Sequence, residues 1–134
     1  MSISPRNLWP EDIAVTQIVA PVAILKEQAA LLGERTKNLV EGRVTQRKRD
    51  FMDFSKLTYD FDLVAPALDH YQYRLFSISH NVEFYPLTID NSDALNDSQL
   101  HVNDEEEFLH ALGQIFSSEK TKGVIKSLVA QSRA

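Results

Sequence analysis

Two hydrophobic rhythms run along the chain and divide it into elements. Val22, Leu25, Ala29, Leu32, Thr36 and Leu39 follow alternating three- and four-residue steps, and Ile24, Leu31 and Val40 widen the stripe. That spacing lines one face of a helix, predicted here over 21–42. Pro21 suits its first position, where a missing N–H costs nothing, and Gly42 suits its end. Gly33 costs about 1 kcal/mol against alanine inside a helix, but the register passes through it unshifted, so one continuous helix is expected. The stripe has two uses. It packs on a sheet, or it forms a homodimer seam in which Val22, Ala29 and Thr36 alternate with Leu25, Leu32 and Leu39.

The rhythm then shortens to two. Leu57, Tyr59, Phe61 and Leu63 alternate with Lys56, Thr58, Asp60 and Asp62, which predicts a half-buried antiparallel strand. Pro66 stops it and PALDH makes the turn into a second strand, YQYRLFSIS. A third strand is predicted at VEFYPLTI, where Pro86 argues for a sheet edge or a bulge. With Leu63 opposite Tyr73, the pairs Phe61–Leu75 and Ala65–Tyr71 share the apolar face, and Asp62 meets Arg74 on the polar one.

The remaining segments are read from their punctuation. Residues 1–12 form an N-terminal arm that Trp9 plugs onto the body, and the β-branched run at 13–19 predicts a short strand. Residues 90–103 read as a polar loop. Asn103 or Asp104 then caps a helix whose first turn holds Glu105, Glu106 and Glu107, acids that suit the positive end of the helix dipole. Phe108, Leu109, Leu112, Ile115 and Phe116 form its apolar face, and a last helix over roughly 120–131 turns Val124, Ile125, Leu128 and Val129 inward. The expected architecture is a single α+β domain, residues 1–134: a long amphipathic helix, a three-stranded antiparallel meander, and two C-terminal helices on the sheet.

Charge changes the picture more than composition does. The net charge of −5 hides a segment, residues 58–110, in which Arg74 is the one base against eleven acids. Residues 34–57 carry seven bases against four acids. This split bears on partners rather than on fold, and an acidic total does not suit a nucleic-acid binder. Cysteine is absent, which excludes disulfides, thiolate metal sites and cysteine nucleophiles. No basic leader precedes an apolar run, and no stretch has the roughly 18 apolar residues of a membrane span. A cytoplasmic chain with its mature N-terminus as written is expected.

Candidate chemistry is sparse. Arg43, Arg47, Lys48 and Arg49 form a basic knot in VEGRVTQRKRDF, a candidate nucleic-acid contact if it acts as one patch. The competing readings are a solvated linker, the exposed start of a long strand, or a dock for an acidic protein. DNSDALND fails the EF-hand pattern, with Leu95 and His101 where glycine and glutamate are required. No HExxH, GxSxG, GxxxxGK[ST] or GxGxxG is present, so no metal, cofactor or catalytic residue is assigned.

Asp60 and Asp62 share a sheet face and would serve a small-molecule enzyme or sensor only if a histidine converged on them in a pocket. The reading the residues favour is a non-enzymatic interaction module, presenting Asp60, Asp62, Asp69, Tyr71 and Tyr73 to a basic protein. Carboxylates beside tyrosines make such a surface. An immunity or antitoxin role is one form of it, and self-association through the 21–42 helix is another.

Overall fold

A computed structural model describes residues 6–49, 54–92 and 97–134. The α+β class is as expected, but the sheet has five antiparallel strands rather than three. Helix α1 (Pro21–Arg35) leads into β1 (Glu41–Gln46), β2 (Leu57–Ala65), β3 (Tyr71–His80), β4 (Leu87–Ser92) and β5 (Asp97–Val102), and the chain ends in α2 (Glu105–Ser117) and α3 (Glu119–Ser132). The strands lie side by side in chain order, so β1 and β5 are the two edges.

The first helix ends at Arg35, seven residues short of the predicted end at Gly42. Lys37 and Asn38 both take left-handed backbone angles, at φ 54° and 65°. The Asn38 N–H donates to the Gly33 carbonyl and the Lys37 N–H to that of Glu34, which is the Schellman termination, made here without glycine at the turn. Thr36 locks it: its hydroxyl lies within hydrogen-bond distance of the Leu32 and Val40 carbonyls, either of which can take its single proton, and it accepts from the Val40 N–H. Thr36 is therefore a cap, not a seam position, and Leu39 lies beyond the helix. Gly42 sits in β1, pressed against Ala29 of α1.

The predicted register of β2 on β3 is right at one end and shifts at the other. Leu63 pairs with Tyr73, Ala65 with Tyr71 and Asp62 with Arg74. A bulge between Phe61 and Asp62 then places Phe61 opposite Phe76 instead of Leu75. The extra residue resets the alternation, so Leu75, Phe76, Ser77 and Ile78 are buried in succession. The Phe61 and Phe76 rings stack at 5.2 Å, and Phe116 of α2 tilts onto both.

Three other expectations are corrected. Pro86 does not interrupt a strand; it follows Tyr85 in a cis peptide and β4 begins one residue later. The polar run at 90–103 contains no long loop but most of the β4–β5 hairpin, paired from Leu87–Val102 to Ser92–Asp97. Its inward positions, Ile89, Leu100 and Val102, supply alternation that the surrounding Asp, Asn and Ser residues mask. The 13–19 run forms no strand, and Trp9 does not plug the arm: both lie in an arm whose large apolar side chains face solvent. Among the described residues, no helix is long and apolar enough to cross a membrane.

The C-terminal helices follow their signals closely. Asp104 caps α2, accepting from the Glu107 N–H at 2.8 Å, while Glu107 accepts from the Asn103 N–H. Ser118 caps α3 through Thr121. Both helices pack their apolar residues onto the sheet face that also receives α1, so among the described residues the opposite face of the sheet carries no helix.

Candidate functional site

The uncovered face holds the carboxylates that the sequence singles out. Asp60 and Asp62 of β2 are only 7% and 6% exposed. Arg47, just past β1, contacts Asp60 at 2.6 Å, and Arg74 of β3 contacts Asp62 at 2.5 Å and Asp60 at 3.4 Å. Ser77 donates to Asp60 at 2.6 Å. Burial by itself would raise the Asp60 pKa; the hydrogen bonds from Arg47 and Ser77 and the two guanidinium charges outweigh it and hold the carboxyl below its ordinary value. The Arg74 guanidinium is raised in turn, first by its hydrogen bond to Asp62. These acids are thus neutralised within the fold and offer little charge to a partner.

The rest of the expected acidic and aromatic face is dispersed. Tyr71 and Tyr73 pair with Ala65 and Leu63, on the helix-covered side, where they line a hollow with Leu68, Val124 and Leu128. Asp69 is in the β2–β3 turn at φ 56°. No single surface joins all five residues. The basic knot is divided as well: Arg43 stands opposite Asp62 on the sheet and Arg47 is bound to Asp60, while Lys48 and Arg49 extend into solvent. Among the described residues, no histidine contacts Asp60 or Asp62 either. His80 is on the covered face, stacked on Tyr59, and His101 is three strands away, about 14 Å across the sheet.

A surface the sequence did not suggest lies at the β5 edge. Leu100 and Val102 of β5 and Ala111 of α2 form the floor of a groove of about 690 Å³, rimmed by Asp104, Glu106, Glu107, His110 and Gln114. Val102 and Ala111 are buried, and the rim side chains are exposed. Asp104 and Glu107 serve the helix cap, and Glu106 takes no part in it. The open edge of β5 runs beside this groove. The hidden signal was the Leu100-x-Val102 alternation inside an otherwise polar run.

The two sheet edges differ in protection. β1 is crowded by α1 at Gly42 and followed by Arg47, Lys48 and Arg49, both common guards against strand addition. β5, with the sequence DSQLHV, contains neither proline nor lysine.

Near the other end of the core, Tyr85 packs edge-on to Phe108 and its hydroxyl is buried. Burial, with the negative charges of Glu105 and Asp104, pushes its pKa up to about 12. An unfolded tyrosine ionises near 10, so between pH 10 and 12 the folded chain retains a proton that the unfolded chain has lost. Stability therefore falls as pH rises through that window. Tyr85→Phe should flatten this alkaline limb in urea titrations, and an unchanged slope would refute the assignment.

Compared with known proteins, the chain matches no family model, no curated protein and no solved structure.

Proposed function

We propose that the chain is a non-enzymatic interaction module that captures an extended, basic segment of a protein partner along the β5 edge. The observation carrying this reading is an edge strand that pairs with no further strand among the described residues, beside an apolar groove with a carboxylate rim. An added strand takes its affinity from main-chain hydrogen bonds and its selectivity from alternate side chains. Here inward side chains of the segment would meet Leu100, Val102 and Ala111, and lysine or arginine would meet Asp104, Glu106 and Glu107. A basic partner is proposed here as well, but on different residues from those first expected.

A fluorescein-labelled peptide of alternating lysine and valine tests it by anisotropy. Binding should weaken as salt rises and be lost in Glu106→Lys/His110→Lys, which leaves the Asp104 cap intact. A peptide N-methylated at every second residue keeps its charge but cannot extend a sheet, and it should not bind. Equal binding of both peptides would show simple charge attraction and defeat the reading.

A further inference from the structure

A second unpartnered surface is built from two parts of the same chain. The first is the arm, residues 6–20. Leu8, Trp9, Ile13, Val15 and Ile18 are 85%, 71%, 61%, 79% and 73% exposed, and Val19 is half exposed. Apolar side chains gathered so densely on so short a segment mark a contact surface. The second part is a cleft of about 660 Å³ on the helix-covered side, between α1 and α3. Phe61, Leu63 and Leu75 form its floor, and Leu31, Phe116 and Ile125 its walls. Leu31, at 43% exposed, stands on the rim.

We infer that the arm of one copy fills this cleft in a second copy, reciprocally, to close a two-fold dimer. The exposed apolar residues of one arm amount to on the order of 800 Å² of surface, the share one partner contributes to a standard stable interface. The arm leaves α1 at the end away from the cleft, so docking needs either a reversal of the arm or a second copy. Ala20 is extended, at φ −71° and ψ 144°, and Pro21 opens α1; a residue before proline is held away from the helical conformation that a sharp reversal would use. The cleft lies along the C-terminal half of α1, at Leu31 to Arg35, whereas the arm departs from the N-terminus. Along the arm, local bonds turn the chain on itself, with the Ile13 N–H donating to Pro10 and the Val15 N–H to Asp12. Reciprocal exchange satisfies both apolar surfaces with one self-complementary contact. Of the α1 stripe, only its exposed end at Leu31 and Leu32 takes part, because Ile24 and Leu25 are already buried in the core.

Trp9 is the single tryptophan, so fluorescence excited selectively at the indole, beyond the absorption of the four tyrosines, reports on the arm alone. Acrylamide quenching and light-scattering mass, followed together on dilution of the full chain, should change in step: a protected indole in dimers, an accessible one in monomers. An indole accessible at every concentration refutes docking, and one protected in a monomer shows docking within one chain. Mixing variants separates exchange from any other dimer. A Leu31→Glu chain keeps Trp9 but spoils its cleft, and because Leu31 is on the rim this change should leave the core intact. A Trp9→Ser chain keeps its cleft but spoils its arm. Alone, the first should be fully quenched; mixed with an excess of the second, it should lose most of that quenching as its arm enters the intact cleft. No protection on mixing would overturn the inference.

Discussion

Gly42→Val should cost the fold about 3 kcal/mol and lower the melting temperature by about 10 °C. The reason is distance, not backbone conformation, because no glycine described here has a positive φ. A Cβ at residue 42 would lie 2.6 Å from the Ala29 Cβ, 2.7 Å from the Ala29 Cα and 3.1 Å from the Phe61 ring. A flexible side chain could move aside, but the Ala29 Cα belongs to the backbone of α1, so the helix would have to lift from β1. Even Gly42→Ala should lose about 2 kcal/mol. Gly113→Ala is the matched control. A Cβ there meets nothing within 4 Å, and the position is inside α2, so the same added methyl should stabilise by about 1 kcal/mol. Urea unfolding of both variants decides the point. Shifts of equal sign would mean that α1 is not seated on β1 as described.

Gly42 also shows why parts of this fold were legible in the sequence and others were not. Read locally, a glycine after an amphipathic stripe terminates the helix. The real terminator is Thr36-Lys37-Asn38, whose left-handed residues give no glycine signal. Where alternation was clean, in β2 and the start of β3, even the cross-strand partner of Asp62 could be read. The bulge at Phe61 was not legible, since Leu75 and Phe76 are both apolar and either can face inward. The β4–β5 hairpin was hidden because its outward positions are so polar that Leu100 and Val102 looked isolated. The same masking concealed the groove, whose floor comes from that alternation and whose rim comes from the capping turn of α2. Charge counting found an acidic segment but could not tell neutralised acids from free ones. That distinction depends on Arg47 and Arg74, which the register delivers from other strands.

Removing Arg47 and Arg74 together should destabilise the protein by about 3 kcal/mol. Asp60 and Asp62 would keep their burial and lose their counter-charges, and an uncompensated buried charge costs about 3–5 kcal/mol. The lower end applies because both arginines are about half exposed, so water screens the pairs. The pH dependence gives the sharper test. An unfolded aspartate titrates at about 3.8, and Asp60 in the fold titrates lower. As pH falls between the two values, the unfolded chain takes up the proton first, so the contribution of this carboxylate to stability is lost with acidification. Without the guanidinium groups the balance reverses. Burial, the largest influence on Asp60, would then raise its folded pKa above the unfolded one, and protonation would favour the fold. The double variant should therefore have a shallower acid limb than the parent, despite its lower stability near neutrality. Asp60→Asn in the Arg47→Ala background removes the stranded charge and should recover part of the loss. Parallel acid limbs in parent and double variant, or no recovery from Asp60→Asn, would mean that the arginines stabilise the sheet by covering it rather than by holding Asp60 ionised.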